Sequence, residues 1–134
     1  MAHGRAGKIT LLMVATVGIG IGGSGCKLLN EIRKTQKHAA IAFDEKTGGW
    51  GYSFDQPTED IAKKQALKEC KTCTTRLTWN QGCGALAQSK DKPEIMTTGI
   101  GTNRPAAEGA AKSDCAAQGG GTCKILVWAC NSTK

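Results

Sequence analysis

Polar and apolar residues change rhythm several times along this chain, and each change marks an element. Residues 9–21 form one apolar run, with Arg5 and Lys8 before it and the small residues Gly22 and Gly25 behind it. From residue 39 onward, short runs rich in β-branched and aromatic residues alternate with two stretches of four-residue spacing. Segments 40–43, 49–54, 74–79, 84–87, 95–101 and 124–129 read as strands, each bounded by Gly, Asp, Asn or Pro. Ala62, Ala66 and Cys70 recur every fourth residue, as do Ala107, Ala111 and Cys115, so two helices each present a narrow stripe of small residues. Thr58 and Asn103 stand where an N-cap is needed. Glu59 and Asp60 supply negative charge to the first turn of one helix, and Pro105 fits the first turn of the other.

The resulting order is ββαβ, twice. Without a gap, Thr58 aligns with Asn103, Ala62 with Ala107, Ala66 with Ala111 and Cys70 with Cys115. The short connection between the first two strands of each pass predicts antiparallel hairpins, and hence an α+β domain over 39–131 built of two repeats, 39–83 and 84–131.

The opening residues have the grammar of an export signal, a basic start, an apolar run and small residues. The run is shorter than the roughly twenty residues that cross a bilayer. "GSGC" resembles the lipobox of bacterial lipoproteins, departing at Gly23, where an aliphatic residue is usual. Cys26 is therefore the expected lipidation site, with residues 1–25 as a lipoprotein-type signal peptide and 26–38 as a lipidated cysteine and tether. Parity agrees. The chain has 7 cysteines, and assigning Cys26 to a lipid leaves Cys70, Cys73, Cys83, Cys115, Cys123 and Cys130 to close a disulfide framework. With 18 Gly and only 4% aromatic residues, the core is thin and cross-links are worth having. The net charge of +7 is mild and spread out, which suits anionic headgroups or acidic glycans and does not fit a nucleic-acid reader.

Cys70 and Cys73 form a CxxC pair, which three chemistries use. A redox pair needs a thiol made acidic, usually at a helix N-terminus, and Cys70 falls at a helix end. Zinc needs a second close pair of ligands, and His38 is the sole histidine beyond the signal. A structural staple remains. His38 has no flanking nucleophile motif, Asp44 with Glu45 and Glu59 with Asp60 read as turn and helix-start residues, and "GIGTNRP" lacks the Lys-Ser/Thr of a phosphate loop. Asn131 begins an "NST" acceptor sequence. No catalytic residue, metal or cofactor is expected, and Trp50 and Tyr52 are the candidate binding residues, with a core role as the competing reading.

"AIAF", "GWGYS", "CGALA" and the closing "CKILVWAC" resemble the bacterial domain-of-unknown-function 4189 family, small exported proteins with this doubled pattern. The resemblance covers about residues 39–131 and brings no activity, ligand or catalytic residue with it. Cys123 and Cys130, seven residues apart on one strand and roughly 23 Å when extended, cannot pair with each other. Repeat symmetry points to Cys115 with Cys123 and Cys70 with Cys73, leaving Cys83 with Cys130 to join the halves. Another symmetric pairing, Cys70 with Cys115, stays open.

These readings converge on a non-enzymatic envelope lipoprotein, held to a membrane through Cys26, whose module binds an envelope protein or glycan. The rivals are a thiol-disulfide protein using the CKTC pair, a hydrolase, and a secreted inhibitor or effector if Cys26 carries no lipid.

Overall fold

The structure, a computed structural model, describes residues 37–133. The expected export segment, Cys26 and most of the expected tether lie outside the described residues. Within them the order is β1 (His38–Asp44), β2 (Gly49–Gln56), α1 (Glu59–Lys68), β3 (Thr74–Trp79), β4 (Cys83–Ser89), β5 (Met96–Gly101), α2 (Arg104–Ala117) and β6 (Cys123–Cys130). This is the doubled ββαβ order, and the strands run one or two residues past several of the expected ends.

Two three-stranded antiparallel sheets form, β2-β1-β3 and β5-β4-β6, each with its first strand in the middle. The pleat of β1 explains the layering. Ala39, Ile41 and Phe43 point to one face and join Leu86, Met96, Val127 and Ala129 in an apolar layer between the sheets. Ala40 and Ala42 point to the other face and meet Ala62 and Ala66 of α1. In the second sheet Ala85 and Ala87 meet Ala107 and Ala111 of α2 in the same way. The molecule is thus four layers, helix, sheet, sheet, helix, with β1 against β4, β2 against β6 and β3 against β5.

All eight of these helix-facing alanines are fully buried. Their small side chains let each helix lie close on its sheet, and glycines complete the approach: a Cβ at Gly51 would lie 1.9 Å from the Ala66 carbonyl oxygen, and one at Gly99 2.3 Å from the Ala111 nitrogen. Both expected caps form. The Ile61 N–H donates to Thr58 Oγ1 at 3.1 Å and the Ala106 N–H to Asn103 Oδ1 at 2.9 Å.

Six cysteines close three bridges: Cys70–Cys73, Cys115–Cys123 and Cys83–Cys130, with Cα separations of 5.4, 6.4 and 4.0 Å. Cys70 pairs with Cys73 and not with Cys115. Cys83 is the first residue of β4 and pairs in register with Cys130 of β6, so its bridge lies inside the second sheet and does not join the halves. Closed bridges of this number belong to an oxidising compartment. No helix among the described residues is long and apolar enough to cross a membrane.

Candidate binding face

Strand β2 supplies a row of aromatic residues that ends exposed. Residues two apart on a strand share a face, so Trp50, Tyr52 and Phe54 stand in a row, ring centroids 6.2 and 6.3 Å apart, with the Tyr52 and Phe54 rings within 10° of parallel. Trp50 and Tyr52 are half-buried and pack against the layer between the sheets, as the core reading of them expects. Phe54 ends the row 45% exposed. The sequence reading did not single it out, although its position two residues beyond Tyr52 in an alternating run was the available signal.

Beside the row, Tyr52, Ser53, Phe54 and Gln56 of β2, Gln65 and Lys68 of α1 and the cap residue Glu69 line an open groove of about 320 Å³. Rings with amide and charged side chains at their margin can take a ligand that is partly apolar and partly hydrogen-bonding. A second open groove, about 460 Å³, runs along β3 on the other flank of α1, lined by Lys63, Leu67 and Cys73 with residues 74–78.

The end of β2 is held by the C-terminal segment. Asp55 adopts φ +55°, the one left-handed conformation outside glycine among the described residues. Its N–H donates to Asn131 Oδ1 at 2.8 Å, and its carboxylate accepts from the Ser132 N–H at 2.6 Å and from the Ser132 hydroxyl. Burial alone would raise the Asp55 pKa; the two Ser132 donors and the charge of Lys37 outweigh it and hold the carboxyl below its ordinary value. Asn131 is itself buried, with Nδ2 directed at the carbonyls of Lys37, Trp79 and Asn80. The first residue of the "NST" sequence thus has a structural role in the folded domain.

The remaining sequence candidates serve local structure. His38 Nδ1 lies 3.3 Å from Asn80 Nδ2. Asp44 accepts from the Lys46 N–H at 2.9 Å in the β1–β2 turn, and this bond, with the Thr72 hydroxyl and Thr47, lowers its pKa. Glu45 pairs with Arg76 at 2.6 Å. Glu59 accepts from the Thr78 hydroxyl at 3.0 Å and pairs with Lys63 at 3.5 Å; the Thr78 bond leads the causes that lower its pKa. Asp44, Glu45 and Glu59 each have a partner that explains them.

No curated protein matches the chain. Among solved structures it is similar to the one titled "NMR structure of Rv1813c from Mycobacterium tuberculosis", with 30% identity over 72% of this chain and 76% of that one and a TM-score of 0.53. The family model described as "Domain of unknown function (DUF4189)" matches residues 38–130, from the first residue of β1 to the last of β6. The chain therefore belongs to the DUF4189 family.

Proposed function

We propose that the protein is a bacterial cell-envelope lipoprotein, exported by residues 1–25, anchored to a membrane by a lipid on Cys26, whose stapled domain binds an envelope protein or glycan without catalysing a reaction. The observation that carries the binding role is the row Trp50, Tyr52 and Phe54, which ends exposed beside a polar-rimmed groove. Apolar rings are kept at a surface at a cost in solvation, and contact with a partner offsets it. Parity supports the anchor: six of the 7 cysteines are taken by bridges, and Cys26 has no partner left in the chain. The tether between Cys26 and β1 carries Lys27, Arg33, Lys34 and Lys37 against the single acid Glu31, a charge balance that suits an anionic headgroup surface.

The test is the intact mass of protein extracted from its native membrane and alkylated without reduction. A diacylated or triacylated chain beginning at Cys26, with no alkylated thiol, supports the tethered module. Unacylated protein in the soluble fraction overturns the anchor and leaves a periplasmic or secreted domain.

A further inference from the structure

The two sulfurs of the Cys70–Cys73 bridge have unlike surroundings. Cys70 is 8% exposed, and Gly49 approaches so closely that a Cβ there would lie 3.0 Å from the Cys70 sulfur. Cys73 is half-buried and lines the groove along β3. That strand is at the outer edge of its sheet and starts one residue after Cys73. An outer strand can take an extended peptide as one further strand through main-chain hydrogen bonds, and here the edge leads to a sulfur.

The turn that carries the pair is held in place. The Cys73 N–H donates to the Cys70 carbonyl at 3.3 Å, and the Thr72 hydroxyl hydrogen-bonds Asp44 of β1 while lying 3.8 Å from the Cys70 sulfur. Opening the bridge would also cost little elsewhere. Its ends are 3 residues apart, against 8 and 47 for the other two, so it restricts the unfolded chain least.

We propose that Cys73 is a disulfide-exchange site that captures a thiol-bearing peptide laid along β3. The peptide thiolate attacks the Cys73 sulfur, a new S–S bond forms between them, and the Cys70–Cys73 bond breaks. Its electron pair leaves on Cys70, which takes a proton from water. One disulfide is consumed and one is formed, so no outside oxidant or reductant enters. Cys70 sits just past the C-terminal end of α1, where the helix dipole disfavours a thiolate. The opened state therefore gains no thiolate stabilisation on Cys70, so the closed bridge stays the lower state and capture is reversible. Lys63 and Arg76 are already paired with Glu59 and Glu45, so selection rests on the strand edge and on Leu67 and Leu77. The proposal goes beyond the tethered-module reading and depends on neither Cys26 nor the aromatic row.

The experiment incubates the oxidised protein with a cysteine-containing peptide of strand-forming sequence, quenches with acid, alkylates and maps the adducts by mass spectrometry. The expected result is a mixed disulfide on Cys73 with Cys70 alkylated, appearing about tenfold faster than adducts at either other bridge. Adducts spread evenly over the three bridges, or placed on Cys70, overturn the assignment. Two single variants, each retaining the other bridges, provide a second reading with the disulfide-linked peptide dimer as probe: Cys70→Ser should react about tenfold faster than Cys73→Ser, and equal rates overturn it. A peptide with the same cysteine flanked by prolines, which cannot pair as a strand, should react more slowly; an unchanged rate removes β3 from the site.

Discussion

The two halves of this domain use one plan with different fastenings. Helix α1 docks through Ala62 and Ala66, and α2 through Ala107 and Ala111, four residues offset by the same interval. The central strands keep that offset, and sheet pairing carries the correspondence to their neighbours, because Ala40 faces Ser53 and Thr78 where Ala85 faces Gly99 and Trp128. On this frame Gly51 corresponds to Thr97, and Ser53 to Gly99. In the first half the Ser53 hydroxyl donates to the Ala62 carbonyl at 2.7 Å and Gly51 makes room for Ala66; in the second, the Thr97 hydroxyl donates to Ala111 at 2.7 Å and Gly99 makes room by Ala107. Hydroxyl and glycine have exchanged places. The teaching is that close helix docking needs one of each, and tolerates either order.

The same frame places His38 opposite Asn80 where the second half has Cys83 opposite Cys130. One pair meets by a 3.3 Å side-chain contact, the other by a covalent bond. It likewise sets Glu59 with Thr78 against Arg104 with Trp128, a hydrogen bond in one half and a guanidinium 4.1 Å above an indole ring in the other.

The largest expected effect breaks the covalent side of this comparison. Replacing Cys83 and Cys130 together by Ser should cost about 4 kcal/mol, from the 47-residue separation they bridge, whereas replacing His38 and Asn80 together by Ala should cost about 1 kcal/mol or less. Chemical denaturation of both variants measures the contrast, and equal losses would end it. Next, Gly51→Ala forces a methyl into the Ala66 backbone and should cost about 3 kcal/mol, while Gly109→Ala, where nothing lies within 4 Å, should be neutral or stabilising by up to about 1 kcal/mol. Thermal melts of the two alanine variants check this. Thr97→Val and Ser53→Ala each delete one hydroxyl donor to a helix carbonyl and should each cost about 1 kcal/mol; a much larger loss in one half would show that the exchange of places is unequal. The smallest effect concerns charge. Because Asp55 is held below its ordinary 3.8 in the folded state, its contribution is complete above that value and fades as pH falls through the lower folded pKa. The melting temperature should therefore drop more steeply below pH 4 in the parent chain than in Asp55→Asn, as pH-dependent melts would record.

Helix positions, their caps and the doubled strand order were legible in the sequence, because four-residue spacing and capping chemistry are local. The faces of the final strands were not. "LTW" and "LVW" invite an alignment of Trp79 with Trp128, yet the pairing sets Trp128 opposite Ala85 and Trp79 opposite Ala39. A one-residue slip turns a strand side chain to the other face. Trp79 lies in the layer between the sheets, its ring over Gly84, while Trp128 lies outside, 39% exposed under Arg104. Nor did the sequence expose the tie between Asp55 and Ser132, 77 residues apart. Of the binding face, Trp50 and Tyr52 were legible from exposure of aromatics in a Gly-rich strand, and the groove beside them was not, since it needs the distance between β2 and α1.

Asn131 gives the fold a direction in time. Its amide serves the backbone at Lys37, Asp55, Trp79 and Asn80, all in the half that is synthesised first, yet it follows β6, the last strand of the second half. The early half must wait for residue 131 to be made before its own strand ends are sealed. The two similar halves thus mature only as one body, and a chain cut short of residue 131 would leave its older half open.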